Sequence, residues 1–140
     1  MKNFYKSVGW DFKDKLKEIS ENEYFLVAYH SNDSEIDHHK DTSTKAAFLS
    51  FRDDYSDDDR DVTYIYEIQV ESEFQGQKIG KSLLEELEKV VSNDVDLPNL
   101  LMCTVQSSNE RSLNFFKKSG FLVDQESPDG AGYEILSKQL

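Results

Sequence analysis

The stretch Tyr64 to Lys81, YIYEIQVESEFQGQKIGK, constrains the fold more than any other. It begins inside Val62 to Val70 (VTYIYEIQV), a run of β-branched and aromatic residues that predicts a strand. A short turn with Gly76 and Gly80 follows. From Gln77 to Val91, the residues Ile79, Leu83, Leu84, Leu87, Val90 and Val91 fall on one face of a helix. Glu85 and Lys89 add an i,i+4 pair in the better orientation. A strand, a glycine turn and an amphipathic helix in that order call for an α/β layer.

The rest of the chain supplies partners for that unit. Asp11 to Ile19 reads as a short helix, because Phe12, Leu16 and Ile19 recur at helical spacing. Tyr24 to Tyr29 and Lys45 to Arg52 read as strands, separated by a long polar loop from His30 to Thr44. Asp53 to Asp61 (DDYSDDDRD) reads as an acidic connection. Asn93 to Asn99, with Pro98, ends the central helix, and Leu100 to Val105 reads as a buried strand. Ser107 and Glu110 match a capping box for a helix reaching Lys118, and Gly120 stops it. Phe121 to Val123 and Gly132 to Ser137 read as two strands around a Ser-Pro-Asp-Gly turn. The expected order is helix, three strands, helix, strand, helix, two strands, on one mixed sheet in one domain of 140 residues.

Charge narrows the partners. Sixteen Lys and Arg against 28 Asp and Glu leave a formal net charge of -12, which repels phosphates at long range and argues against nucleic acid. A cationic partner suits such a surface, and solubility alone is the other explanation. No apolar run approaches the roughly 20 residues of a membrane span, and the first residues lack a signal-peptide core. With one cysteine, Cys103, an internal disulfide is impossible and an intracellular home is expected. Cys103 inside LLMCTV reads as a small buried hydrophobe. His30, His38 and His39 lie in or beside the polar loop, and no metal site is expected there.

Free N–H groups at a helix start bind phosphate, and glycines let a ligand approach the backbone. The Gln75 to Gly80 turn has both features. It is neither GxGxxG nor a P-loop: the glycines are four apart, and no GK[ST] follows. A plain helix-entry turn remains the alternative.

The second informative stretch is TVQSSNERSLNFFKKSGF, Thr104 to Phe121. A QxxxxG turn after one strand, followed by N-x5-FFxxxGF after the next, resembles the GNAT acetyltransferase superfamily. The runs YIYEIQVES, LLMCTVQSSN, FF and SP…YEILSK, with GWDFKDKLKEIS near the start, resemble its NatD branch most closely. NatD enzymes acetylate the N-terminal amine of histone tails that begin Ser-Gly-Arg-Gly, in the cytoplasm and nucleus. The family carries a strand and a long helix ahead of the Gly-Trp segment, at which this chain almost starts. A GNAT fold short of its usual first strand and first helix is therefore expected.

The resemblance implies acetyl-CoA as co-substrate and no metal. It places the cofactor against Ile68, Gln69 and Val70, against the turn Gln75, Gly76, Gln77, Lys78, Ile79 and Gly80, and beside Thr104 and Asn109. The family pattern has glycine where this chain has Lys78, which could add a cation for phosphate. It implies Glu67 as base, with Tyr66 and Tyr133 as catalytic tyrosines. Trp10, Asp54, Tyr64, Tyr66 and Tyr133 would contact the substrate, and Asp54 would read its first residues.

Each residue has a plainer explanation as well: helix capping for Asn109, core packing for Thr104 and Trp10, wet core aromatics for the tyrosines. Strict alternation puts Tyr64 and Tyr66 on one face and Glu67 on the other, so a shared site needs a bulge or splay in the strand. Two further functions fit the charge: acetylation of a small polycation such as a polyamine, and non-catalytic binding of basic histone tails.

Overall fold

A computed structural model describes residues 4–7, 10–15, 23–31 and 43–140, with side chains placed at 23–29 and 45–140. Its strands are β1 (Phe4–Ser7), β2 (Trp10–Lys15), β3 (Glu23–Ser31), β4 (Ser43–Tyr55), β5 (Asp61–Val70), β6 (Leu100–Gln106), β7 (Leu122–Val123) and β8 (Tyr133–Gln139). Two helices, α1 (Ile79–Asn93) and α2 (Glu110–Lys118), and a 3-10 turn (Ser72–Phe74) complete the elements among the described residues. The chain divides into two compact units, Met1–Ser50 with Glu67–Leu87, and Phe51–Tyr66 with Glu88–Leu140.

In the first unit the strands follow the order β1-β2-β3-β4-β5. β3 buries three consecutive residues, Leu26, Val27 and Ala28, as a strand covered on both faces does. Ala46, Ala47 and Leu49 of β4 are buried too, as are Ile79, Leu83, Leu84 and Leu87 of α1. The α1 residues are the apolar stripe that the sequence predicts. Phe25 and Phe48 pack with ring centroids 6.2 Å apart.

In the second unit the order is β4-β5-β6-β8-β7. β5 and β6 pair in parallel over Thr63–Leu101, Tyr64–Met102 and Ile65–Cys103, and α1 lies within the crossover that a parallel pair requires. β6 and β8 pair antiparallel over their full length, from Leu100–Gln139 to Gln106–Tyr133. Val62, Met102 and Ile135 form a buried cluster, with Tyr64 and Leu100 against it. The buried Thr63 hydroxyl donates to the Pro98 carbonyl at 2.7 Å, so its polar atom is satisfied. Cys103 is buried, and burial pushes its thiol up to about 12, in keeping with an inert core residue.

The Phe121 N–H bonds the Phe116 carbonyl and the Gly120 N–H bonds the Lys117 carbonyl, which closes α2 with a Schellman motif. Gly120 takes φ +98, the left-handed conformation that this motif needs.

Several expectations change. Asp11 to Ile19 is not a helix where it is described: Trp10–Lys15 is strand β2, paired with β1 and, from Asp11–Tyr29 to Lys15–Phe25, with β3. Trp10 and Phe12 alternate as a strand requires, and two ladders outweigh the helical spacing of three apolar residues. Leu16 and Ile19, which completed that spacing, lie outside the described residues, as do residues 32–42 of the expected loop, His38 and His39 among them.

The helix after β6 is capped by Asn109, whose side-chain oxygen accepts from the Ser112 N–H at 3.1 Å. Ser107 does not cap it; its N–H donates to the Gly132 carbonyl. Asparagine caps as well as serine and stands directly before the first helical residue. The acidic connection is shorter than expected, because Asp53, Asp54 and Tyr55 extend β4. The turn is closed by Ser56 N–H to Arg60 C=O and Asp59 N–H to Ser56 C=O, with Asp59 at φ +61.

At the other end of that hairpin the Glu71 N–H bonds the Ala46 carbonyl.

Candidate active site

The second unit gathers Asp54, Tyr64, Tyr66 and Thr104. Tyr64 and Tyr66 stand two apart on β5, so they share a face, and their ring centroids lie 4.9 Å apart. The Tyr64 hydroxyl is paired with Thr104 Oγ1 on β6. The Tyr66 hydroxyl donates to Asp54 Oδ2 at 2.7 Å. That oxygen also accepts from Arg52 Nε at 3.2 Å and Arg52 Nη2 at 3.0 Å. Asp54 Oδ1 accepts from the Tyr55 N–H at 2.8 Å. Arg52 Cζ lies 4.5 Å from the Tyr66 ring centroid, within cation–π range.

These contacts set the protonation states. Partial desolvation of the phenol, followed by the hydrogen bond to the Asp54 carboxylate, pushes Tyr66 up to about 12, so it holds its proton through neutral pH. The Tyr66 hydroxyl, with the Tyr55 N–H and Arg52, holds the Asp54 carboxyl below the ordinary carboxylate range against the opposing effect of burial. Tyr66 is thus a proton donor beside a permanent anion.

The first unit carries Glu67 and the turn. Glu67 is exposed and accepts from the Gln69 side-chain amide. Tyr66 is exposed as well, so two consecutive strand residues both face solvent where strict alternation would bury one. The parallel ladder with β6 has ended one residue earlier, at Ile65.

Beyond Val70 the chain turns through the 3-10 segment, and Gln75 Nε2 ties the turn back to the Val70 carbonyl at 3.1 Å. Gly76 has φ +82 and Lys78 φ +61. Lys78 thus adopts the left-handed conformation that glycine takes at no steric cost. The Ser82 N–H bonds the Lys78 carbonyl. The N–H groups of Ile79, Gly80 and Lys81 precede it, in the turn of a helix whose donors have no intrahelical partner.

The residues present fit a diphosphate. A Cβ added at Gly76 would meet nothing within 4 Å, so the turn has room for a ligand against its backbone. Gln75, Gly76, Gln77 and Lys78 are exposed, and Lys78 brings a cation to a helix start. Ile79 is 1% exposed, so its side chain anchors α1 in the core and only its backbone is available to a ligand.

The remaining residues lie on several elements. Ile68 and Val70 are half-buried on β5. Asn109 spends its carboxamide oxygen on the α2 cap. Tyr133 opens β8 opposite Gln106 and is 39% exposed. Trp10 lies on β2, and its side chain is outside the described residues. No group of three or more His, Cys, Asp or Glu able to hold a metal occurs among the described residues. No helix among them is long and apolar enough to cross a membrane.

Arg52 was missed in the sequence. Its signal was available: Arg52 and Asp54 are two apart, so once β4 runs on to Tyr55 they share a strand face. Reading Asp53 to Asp61 as a loop hid that spacing.

The fold has relatives among solved structures. The chain is similar to the PaiA N-acetyltransferase of Thermoplasma acidophilum, solved in complex with coenzyme A, with TM-score 0.62 and 24% identity over 85% of this chain and 62% of that one. It is similar to Arabidopsis thaliana Naa50 in complex with the bisubstrate analogue CoA-Ac-MVNAL, with TM-score 0.59 and 20% identity over 83% of this chain and 72% of that one. A domain from Methanocaldococcus jannaschii matches with TM-score 0.64 and 18% identity over 87% of this chain and 70% of that one. At these identities the likeness is one of fold. The profile of the Acetyltransferase (GNAT) family matches residues 2–121, most of the chain, and with the mixed sheet and the strand–turn–helix described above this chain belongs to that family.

Proposed function

We propose that this chain is an N-alpha-acetyltransferase that moves the acetyl group of acetyl-CoA to the N-terminal amine of a basic protein, with histone tails beginning Ser-Gly-Arg-Gly as its substrates in cytoplasm and nucleus. One observation carries the chemistry: Tyr66 and Glu67, consecutive on β5, are both exposed, one a phenol that holds its proton and the other an acid side chain whose oxygen accepts a hydrogen bond from Gln69. Acyl transfer to an amine needs one group to take a proton and one to give it. Support for a peptide substrate comes from the YIYEIQVES run, from the net charge of -12, and from the likeness to Naa50 with its CoA-Ac-MVNAL analogue.

Bound acetyl-CoA supplies the activated acyl carbon. The turn Gln75 to Gly80 holds the diphosphate by backbone N–H groups and Lys78, while Ile68, Gln69, Val70, Thr104 and Asn109 line the remainder of the cofactor. A β5 N–H near Val70, past the end of the β6 ladder, polarises the thioester carbonyl as an oxyanion donor. Glu67, directly or through one water, takes the proton that the α-ammonium must lose before attack, and the second amine proton passes to solvent as the N–C bond forms. Tyr66 breaks its hydrogen bond to Asp54 Oδ2, its hydroxyl turning about the C–O bond, and gives its proton to sulfur as the C–S bond breaks. Solvent then returns a proton to Tyr66 and removes one from Glu67. Tyr64, Tyr133 and Trp10 orient the substrate.

An α-amine suits this modest machinery. Its pKa is about 7.7–8, against about 10.4 for lysine, so on the order of a tenth is already neutral at pH 7. The difference of roughly 2.5 units, about 3.4 kcal/mol, is deprotonation work that a lysine side chain would add.

Acetyl transfer to Ser-Gly-Arg-Gly-Lys, compared with the same peptide blocked at its N-terminus, tests the reading. Product is expected from the free peptide alone; product from the blocked peptide would move the acetyl group to lysine, and acetylation of spermidine but of neither peptide would favour a small polycation. Acetyl-CoA at about 100 times its Kd should also stabilise the protein by about 2.7 kcal/mol. An unchanged melting temperature at millimolar acetyl-CoA would remove the cofactor from the reading.

A further inference from the structure

We infer that Arg52 is the positioning residue of Tyr66, holding the phenol by its ring and through Asp54 so that the hydroxyl oxygen keeps one position, its proton resting on Asp54 Oδ2 until it is given up. The inference rests on the reading of Tyr66 as proton donor given above. Three contacts meet in one small group. The guanidinium lies over the Tyr66 ring at 4.5 Å. Its Nε and Nη2 hold Asp54 Oδ2 at 3.2 and 3.0 Å, and the same oxygen receives the Tyr66 hydroxyl at 2.7 Å. One planar cation therefore grips both the ring and the acceptor of its hydroxyl. With Asp54 Oδ1 fixed by the Tyr55 N–H, neither the carboxylate nor the phenol turns without breaking a bond.

The chemistry of the side chain is specific. Guanidinium is flat, stacks on an aromatic face and offers two donors from one edge. An ammonium keeps the charge and loses the fork and the stack. The ion pair is partly exposed, at 39% for Arg52 and 32% for Asp54, so its contribution to stability is small and its effect falls on geometry. Asp54 Oδ2 is fully committed to three donors. A substrate guanidinium gripping both carboxylate oxygens would have to displace Arg52, so this group orients Tyr66 as it stands and does not read arginine.

The test is a double-mutant cycle in steady-state kinetics with acetyl-CoA and the Ser-Gly-Arg-Gly-Lys peptide, with melting temperatures measured alongside. Tyr66→Phe is expected to lower kcat about 10²-fold or more. Arg52→Gln is expected to lower kcat by about 10- to 100-fold, since a 1 Å misplacement of a reacting group can cost the larger figure, with KM for the peptide changed less than about 2-fold. Arg52→Lys should recover only part of that loss. In the Tyr66→Phe background, Arg52→Gln should have no further effect, because the group it positions is gone.

Equal losses from Arg52→Gln in both backgrounds would overturn the inference and leave Tyr66 as donor. So would an unchanged kcat with a lowered KM for the arginine peptide, which would make Arg52 a competitor of the substrate. If Arg52→Gln fails to fold, Arg52→Lys with wild-type kcat overturns the inference equally. A wild-type kcat in Tyr66→Phe overturns the reading of Tyr66 itself, and the inference with it.

Discussion

Replacing Glu67 by glutamine is expected to slow acetyl transfer about 10²–10⁴-fold at pH 7, the usual value of a positioned base. The substitution keeps length and shape, and glutamine on an exposed strand position leaves the fold intact. The pH profile separates a base from a binding group. With the α-amine pKa near 7.8, the neutral fraction rises roughly sevenfold between pH 7 and pH 9. Above pH 9 the variant works on an amine that has already lost its proton, so its deficit should shrink there. A deficit constant across that range would make Glu67 a binding residue. Wild-type activity at pH 7 would pass the role of base to water or to a tyrosine other than Tyr66, whose phenol is held protonated.

The largest effect on stability is expected at Asp124. Its side chain is 4% exposed and accepts from Arg60 Nη2 at 2.7 Å and Nη1 at 3.2 Å, a two-pronged grip. Ser137 Oγ donates to it at 2.6 Å and the Glu126 N–H at 3.0 Å. The network joins the β4–β5 turn to the 124–127 turn and to β8. Removing one partner of a buried pair costs about 3–5 kcal/mol. Arg60 keeps Asp58 and is itself 30% exposed, so Asp124→Asn should cost about 3 kcal/mol, or roughly 10 °C in Tm.

The sign of the pH dependence follows from the direction of the shift. Burial opposes ionisation of Asp124, but Arg60, Ser137 and the Glu126 N–H outweigh it and hold its carboxyl below the ordinary range. A lowered folded pKa contributes stability that is full above the unfolded value of about 3.9 and lost as pH falls through the folded value. The gap between wild type and Asp124→Asn should therefore be constant from pH 6 to pH 8 and close in acid. Thermal melts over that range check it. A gap that persists below pH 3 would assign the effect to shape, and a Tm change under 2 °C would make the network dispensable.

Local patterning carried much of the fold into the sequence. The stripe of Ile79, Leu83, Leu84 and Leu87 is legible because a helix must cover its own apolar face, whatever it packs against. Gly120 and the strand Val62 to Val70 are legible for the same reason: a left-handed cap and a β-branched run state their conformation residue by residue. The turn proposed for acetyl-CoA belongs to this group, since its glycine and its helix start are contiguous in the chain.

Wherever distant residues had to meet, the sequence was silent or misleading. Trp10–Lys15 became a strand because β1 and β3 offered it backbone partners, and a hydrogen-bonded ladder outweighs a three-residue helical spacing. Asp53 and Asp54 are poor strand formers in isolation, yet the strand runs on to Tyr55. Only then do Arg52 and Asp54 share a face with their partner Tyr66, twelve residues further along the chain. The sequence by itself determined the elements whose conformation is a property of neighbouring residues, together with the family. Only the tertiary structure decided register, strand ends and which charges pair, because those free energies depend on contacts between residues far apart in the chain.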